Sequence, residues 1–110
     1  MELRILSDDE YVPLRAGLIS AEACFTPRSV SRRRLGGDIT VIQSELSRIS
    51  LTVRQVRDTA MDELIQTALE GGDIEYELTF GGRVILGEGA VMIERIYTSL
   101  AGTQLDIVIR

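Results

Sequence analysis

The stretch Asp73–Val91, DIEYELTFGGRVILGEGAV, decides the fold. Ile74, Tyr76, Leu78 and Phe80 alternate with Glu75, Glu77 and Thr79. A period of two places the apolar side chains on one face of a strand and the polar ones on the other. Gly81-Gly82 follows, a pair that adopts the positive φ of a tight hairpin without steric penalty. A returning strand starts at Arg83 and runs through Val84 and Leu86. Gly87-Glu88-Gly89 interrupts it, and two glycines inside a strand predict a bulge or sharp bend. Strand character resumes from Ala90 to Tyr97, and Gln104–Arg110 closes the chain with Leu105, Ile107 and Ile109 set against Asp106 and Val108.

Upstream, the same alternation predicts strands around Ile19–Phe25 and Arg48–Arg54, with a shorter, more continuously apolar one over Asp38–Ser44. Val12–Ala16 reads as an edge strand, because Pro13 cannot donate to a central ladder. One segment breaks the pattern. From Asp58 to Glu70 the residues Met61, Leu64, Ile65, Ala68 and Leu69 recur at helical spacing. Asp58 or Thr59 can cap its N-terminus, Asp62 and Glu63 suit the positive end of its dipole, and Gly71-Gly72 ends it. The elements therefore predict a mainly β protein: a small antiparallel barrel or sandwich with one flanking helix over residues 58–70.

With 110 residues the chain has the size of one domain, 1–110, and an apolar share of 45% supports a packed core. An acidic run, Ser7-Asp8-Asp9-Glu10, stands where a secretion signal would need its apolar stretch. The single cysteine, Cys24, has no partner for an internal disulfide and predicts a reducing compartment or a chain with no use for oxidation. There is no His, Lys, Asn or Trp, so every basic side chain is an arginine. Charge is uneven. Arginines concentrate between Thr26 and Arg57, whereas the half from Asp58 onward is strongly acidic, a polarity that favours head-to-tail contact between copies. The net charge of −5 argues against nucleic acid as the main ligand.

Catalytic chemistry finds little support. Without His, the common nucleophile–base pairs cannot be built. Cys24 reads as a structural residue of a strand, and the paired carboxylates Glu75 and Glu77 read as a solvated strand face. Asp8-Asp9-Glu10 lacks the spaced ligands of a calcium loop, and Gly87-Glu88-Gly89 lacks the spacing of a dinucleotide fingerprint. No enzyme activity, metal or cofactor is expected. Thr26–Gly37 is different: Pro, Ser and Gly with Arg28, Arg32, Arg33 and Arg34 predict a long arginine-rich loop between strands, and loops of that length tend to be functional. Its arginines are interface candidates that could bind phosphate, a lipid surface or an acidic protein patch. The alternative is a small monomeric binding domain whose loop takes a phosphorylated ligand or nucleic acid. Arg28-Ser-Val-Ser-Arg32 is similar to one half of the cyclic-di-GMP motif of PilZ domains, but the other half is missing.

The order of elements, with the run of Gly, strand, Gly-Gly, strand, Gly-x-Gly, strand quoted above, resembles the tail-tube proteins of long-tailed bacteriophages and the haemolysin-coregulated tube proteins of type VI secretion. The resemblance covers roughly residues 11–110. It implies a virion structural subunit, assembled in the host cytoplasm into stacked homo-oligomeric rings, commonly hexameric, whose joined sheets line a channel. It further implies other tail proteins as partners, DNA only as passing cargo, and no membrane. The long loop would reach a neighbouring subunit or ring, and Glu75 and Glu77, facing the lumen, would let duplex DNA slide past. The chain is short for that family, which leaves a tube initiator, terminator or baseplate relative open.

Overall fold

In the computed structural model the chain forms β1 (Glu2–Ser7), β2 (Glu10–Pro13), β3 (Leu18–Arg34), β4 (Gly37–Arg54), α1 (Thr59–Glu70), β5 (Asp73–Phe80), β6 (Arg83–Ser99) and β7 (Gly102–Ile109). The structure describes the backbone of residues 1–110 and all side chains except those of Val30, Arg32, Arg34 and residues 38–43. All strands join one antiparallel sheet in the order β2-β1-β5-β6-β7-β4-β3. Mainly β architecture with one helix is thus what the alternation predicts. The sheet curls on itself without closing, since β2 and β3 are its two edges and do not pair with each other.

Strand β6 makes the curl. Its first half, Arg83–Ala90, pairs with β5, and its second half, Val91–Ser99, pairs with β7 on the opposite edge. One strand therefore serves two half-sheets whose apolar faces look at each other. The glycines within it act through close approach. A Cβ on Gly87 would lie 2.5 Å from the Tyr76 hydroxyl, and one on Gly89 would lie 2.5 Å from the Arg110 carbonyl oxygen. The bulge expected at Gly87–Gly89 is not there: the register with β5 is unbroken, and the shift in β6 falls between Ile93 and Arg95, at Glu94. Further shifts occur in the β3–β4 pair between Leu18 and Ser20 and between Cys24 and Phe25, and such irregularities add local twist.

The core lies between the half-sheets. Ile5, Leu78 and Val91 meet Val53 and Ile107 there, and α1 closes one side with Ala60, Met61 and Leu64, all nearly or fully buried. Burying a Leu or Met side chain stabilises by roughly 1.5–3 kcal/mol, so the helix is held by its apolar stripe rather than by propensity. Asp58 is the N-cap, its carboxylate accepting from the Met61 amide at 3.2 Å, and Gly71 ends the helix with φ 69°.

Four expectations change. Thr26–Gly37 is not a loop: Thr26–Arg34 belongs to β3, paired residue for residue with Gly37–Glu45, and only Leu35-Gly36 turns. Pro27 suggests a loop, yet β3 is an edge strand, where proline is tolerated. Asp38–Ser44 and Arg48–Arg54 are likewise one strand, β4. β1 is an additional strand, with Leu3, Ile5 and Ser7 buried in strict alternation. Ile19 does not face the core; the register shift turns it outward, 48% exposed, while Leu18 packs on the core.

Candidate functional site

Among the described residues the sequence's charged candidates do not line the three main surface hollows. The most prominent feature is the distal half of the β3–β4 hairpin. β4 pairs with β7 only over Ile49–Arg54, so beyond that segment β3 and β4 have only each other. The packed body ends where the Phe25 and Phe80 rings meet, their centroids 5.3 Å apart. Past that contact the pairs run from Thr26 with Glu45 to Arg34 with Gly37. At about 3.3 Å per residue these strands project roughly 30 Å, which accounts for a long axis of 63 Å against 31 and 26 Å for the others.

The arginines ride on this arm. Arg28 stands opposite Gln43 and pairs with Glu45 at 3.4 Å, both side chains well exposed. Arg33, opposite Asp38, is also exposed. Five positions separate Arg28 from Arg33 with no register shift between them, so they emerge from opposite faces of the hairpin. Arg28 and Arg33 therefore do not converge on one ligand. The side chains of Arg32 and Arg34 lie outside the described residues; their backbone stands opposite Ile39 and Gly37. At the tip, Leu35 is fully exposed.

Glu75 and Glu77 lie on the solvent face of β5, Glu75 opposite Glu88 and Glu77 between Arg4 and Leu86. This face is mostly acidic but carries the exposed apolar side chains Val84 and Leu86 as well. Nearby, Arg15 and Arg4 both reach Glu2, and the Arg15 hydrogen bond holds the Glu2 carboxyl below its ordinary pKa of 4.5. Asp8 and Asp9 form the two-residue turn between β1 and β2, with φ 49° and 64°. Among the described residues no cluster of His, Cys, Asp or Glu is arranged to hold a metal ion. Cys24 is half-buried on β3, with the Arg48 guanidinium 4.0 Å from its sulfur. Among the described residues no helix is long and apolar enough to cross a membrane.

A second surface was not foreseen from the sequence. β5 accompanies β6 only as far as Ala90, and the Val91 amide donates to the Gly72 carbonyl. From Met92 to Ser99 that edge of β6 has no strand partner. Beside it runs a groove floored by Val91, Ile93 and Ile96 and walled by Ala68 and Leu69 of α1. Leu69 was counted on the helix's apolar stripe, yet it is 67% exposed, and Ile96 is 61% exposed. The signal available was the helix's own width: Leu64 and Ile65 meet the core, and Leu69 extends the stripe past it.

No protein-family model matches the chain, and no curated protein matches it. Among solved structures it is similar to a chain described as the "Virion of native gene transfer agent (GTA) particle", with a TM-score of 0.55 and 18% identity. The match covers 98% of this chain and 90% of that one. At that identity the similarity is one of fold.

Proposed function

We propose that this chain is a structural subunit of a phage-like particle, of tail-tube type, which assembles with copies of itself into stacked rings around a channel and performs no reaction. The observation that carries the reading is the arm. A two-stranded ribbon with no core beneath it is marginal in water by itself, and here it spans roughly half of two long strands without contributing to the protein's own packing. Its use lies in what it touches. The fold shared with a chain of a gene transfer agent virion supports the same conclusion.

Open strand edges favour it further. β2, the outer edge of β3, and β6 beyond Met92 present unpaired backbone groups, which contacts between subunits would cover. In this reading the rings are hexameric, as in the family the sequence resembles, and the acidic face of β5 with Glu75 and Glu77 turns to the channel. Carboxylates there repel phosphates and keep passing duplex DNA from sticking.

Electron micrographs of the purified protein at rising concentration test the proposal. Rings or tubes are expected, and Arg33→Glu is expected to weaken assembly without changing the circular dichroism spectrum or the melting temperature. A protein that sediments as a monomer at every concentration would overturn it.

A further inference from the structure

The arm and the α1–β6 groove lie at opposite ends of the molecule, and the strand register shows it. β4 runs from the tip at Gly37 down to Arg54. Moving away from the tip, Ile49 is level with Ile109 and Val91, and Val53 is level with Leu105 and Ile96. The groove therefore descends along β6 in the direction opposite to the one in which the arm rises. A contact between the two cannot form within one chain, because β3 and β4 stay paired up to Arg34 and Gly37. Between two chains it joins the top of one to the bottom of the next.

Three kinds of complementarity match these surfaces. The floor and helix wall of the groove are apolar, with Leu69 and Ile96 mostly exposed, and the arm ends in Leu35, an apolar side chain with no cover at all. At the rim of the groove stand Glu70, at the end of the wall helix, and Glu94, beside a single basic residue, Arg95, while the arm exposes Arg28 and Arg33. Opposite potentials of this kind steer encounter and fix register. The unpaired edge of β6 from Met92 to Ser99 is about 26 Å long at ~3.3 Å per residue. The free edge of β3 in the arm, Thr26–Arg34, is about as long and can add to it by backbone hydrogen bonding.

We infer that the groove between α1 and the free edge of β6 is the seat for the distal hairpin of a second copy of this chain, with Leu35 packed against Leu69 and Ile96. This rests on the self-assembly reading above and specifies which surfaces meet. The contact is heterologous, so it repeats head to tail rather than closing as a symmetric pair.

The test uses two single-cysteine chains in a Cys24→Ser background, Leu35→Cys and Leu69→Cys, mixed under assembly conditions and mildly oxidised. Every variant, the control and Ile96→Glu included, is checked for folding by circular dichroism. The expected result is a mixed disulfide in several-fold excess over a control pair, Leu35→Cys with Val84→Cys, and its loss when Ile96→Glu is added to the Leu69→Cys chain. If particles form in micrographs but the Leu69 pair gives no more disulfide than the control, the groove assignment is wrong while the assembly reading stands. If no particles form at all, both fall.

Discussion

The two halves of the β3–β4 hairpin share strands, pairing and handedness, yet they belong to different physical regimes. In the proximal half Ile49, Leu51 and Val53 are buried against β7 and the rest of the core. In the distal half the same two strands have solvent on both sides of the ribbon wherever the side chains are described, at Thr26 and Arg28 on one face and at Ser29, Ser31 and Arg33 on the other. The first half is held by area removed from water and the second by its own ladder alone. Folding is thus decided in the body, and the arm is free to be specified by whatever it binds.

That separation can be broken or sharpened by substitution, beginning with the largest effect. Leu64→Ala, which empties a fully buried site in the body, is expected to cost about 2–5 kcal/mol in a urea titration. Gly89→Ala should follow at about 1–3 kcal/mol, because the added methyl meets backbone that cannot turn aside, whereas at Gly87 it meets the Tyr76 ring. Asp58→Ala removes the helix cap and should cost about 0.5–2 kcal/mol. Arg28→Ala, which opens only the exposed pair with Glu45, should fall within about 0.5 kcal/mol while lowering the tendency to assemble. An arm substitution as costly as Leu64→Ala would erase the distinction.

A smaller effect concerns pH. Burial pushes the Tyr76 phenol up from its ordinary value of 10.0. The folded chain keeps that proton at a pH where the unfolded chain has begun to lose it. Stability is therefore full below the ordinary value and declines as pH rises through it and up to the folded value. Tyr76→Phe should flatten the alkaline limb of a denaturation series, and an unchanged limb would assign the decline to other groups.

Much of the body was legible because alternation and burial coincide there. Ile74 to Phe80 and Leu105 to Ile109 read as strands for the same reason that they pack. Helix α1 read correctly since its stripe, its Asp58 cap and its glycine stop agree. The arm misled because the cues for a loop, Pro27 and repeated serines and glycines, are equally tolerated on an edge strand with no core to face. β1 is only six residues long, and its alternation of Leu3 and Ile5 with Glu2 and Arg4 was overshadowed by the acidic turn after it. The groove beside α1 was illegible for another reason: Ile93, Ile96 and Leu69 are ordinary core residues by type, and only the point where β5 leaves β6 uncovers them.

Hydrogen exchange followed by mass spectrometry, on the dilute chain and on assembled particles, tests the central claim most directly. In the dilute chain, amides of residues 26–45 should exchange far faster than those of β7, because nothing but the ribbon protects them. On assembly the arm should become protected together with the free edge of β6 over residues 92–99, while β7 changes little. Particles in which residues 26–45 exchange as fast as they do in the dilute chain would contradict the account.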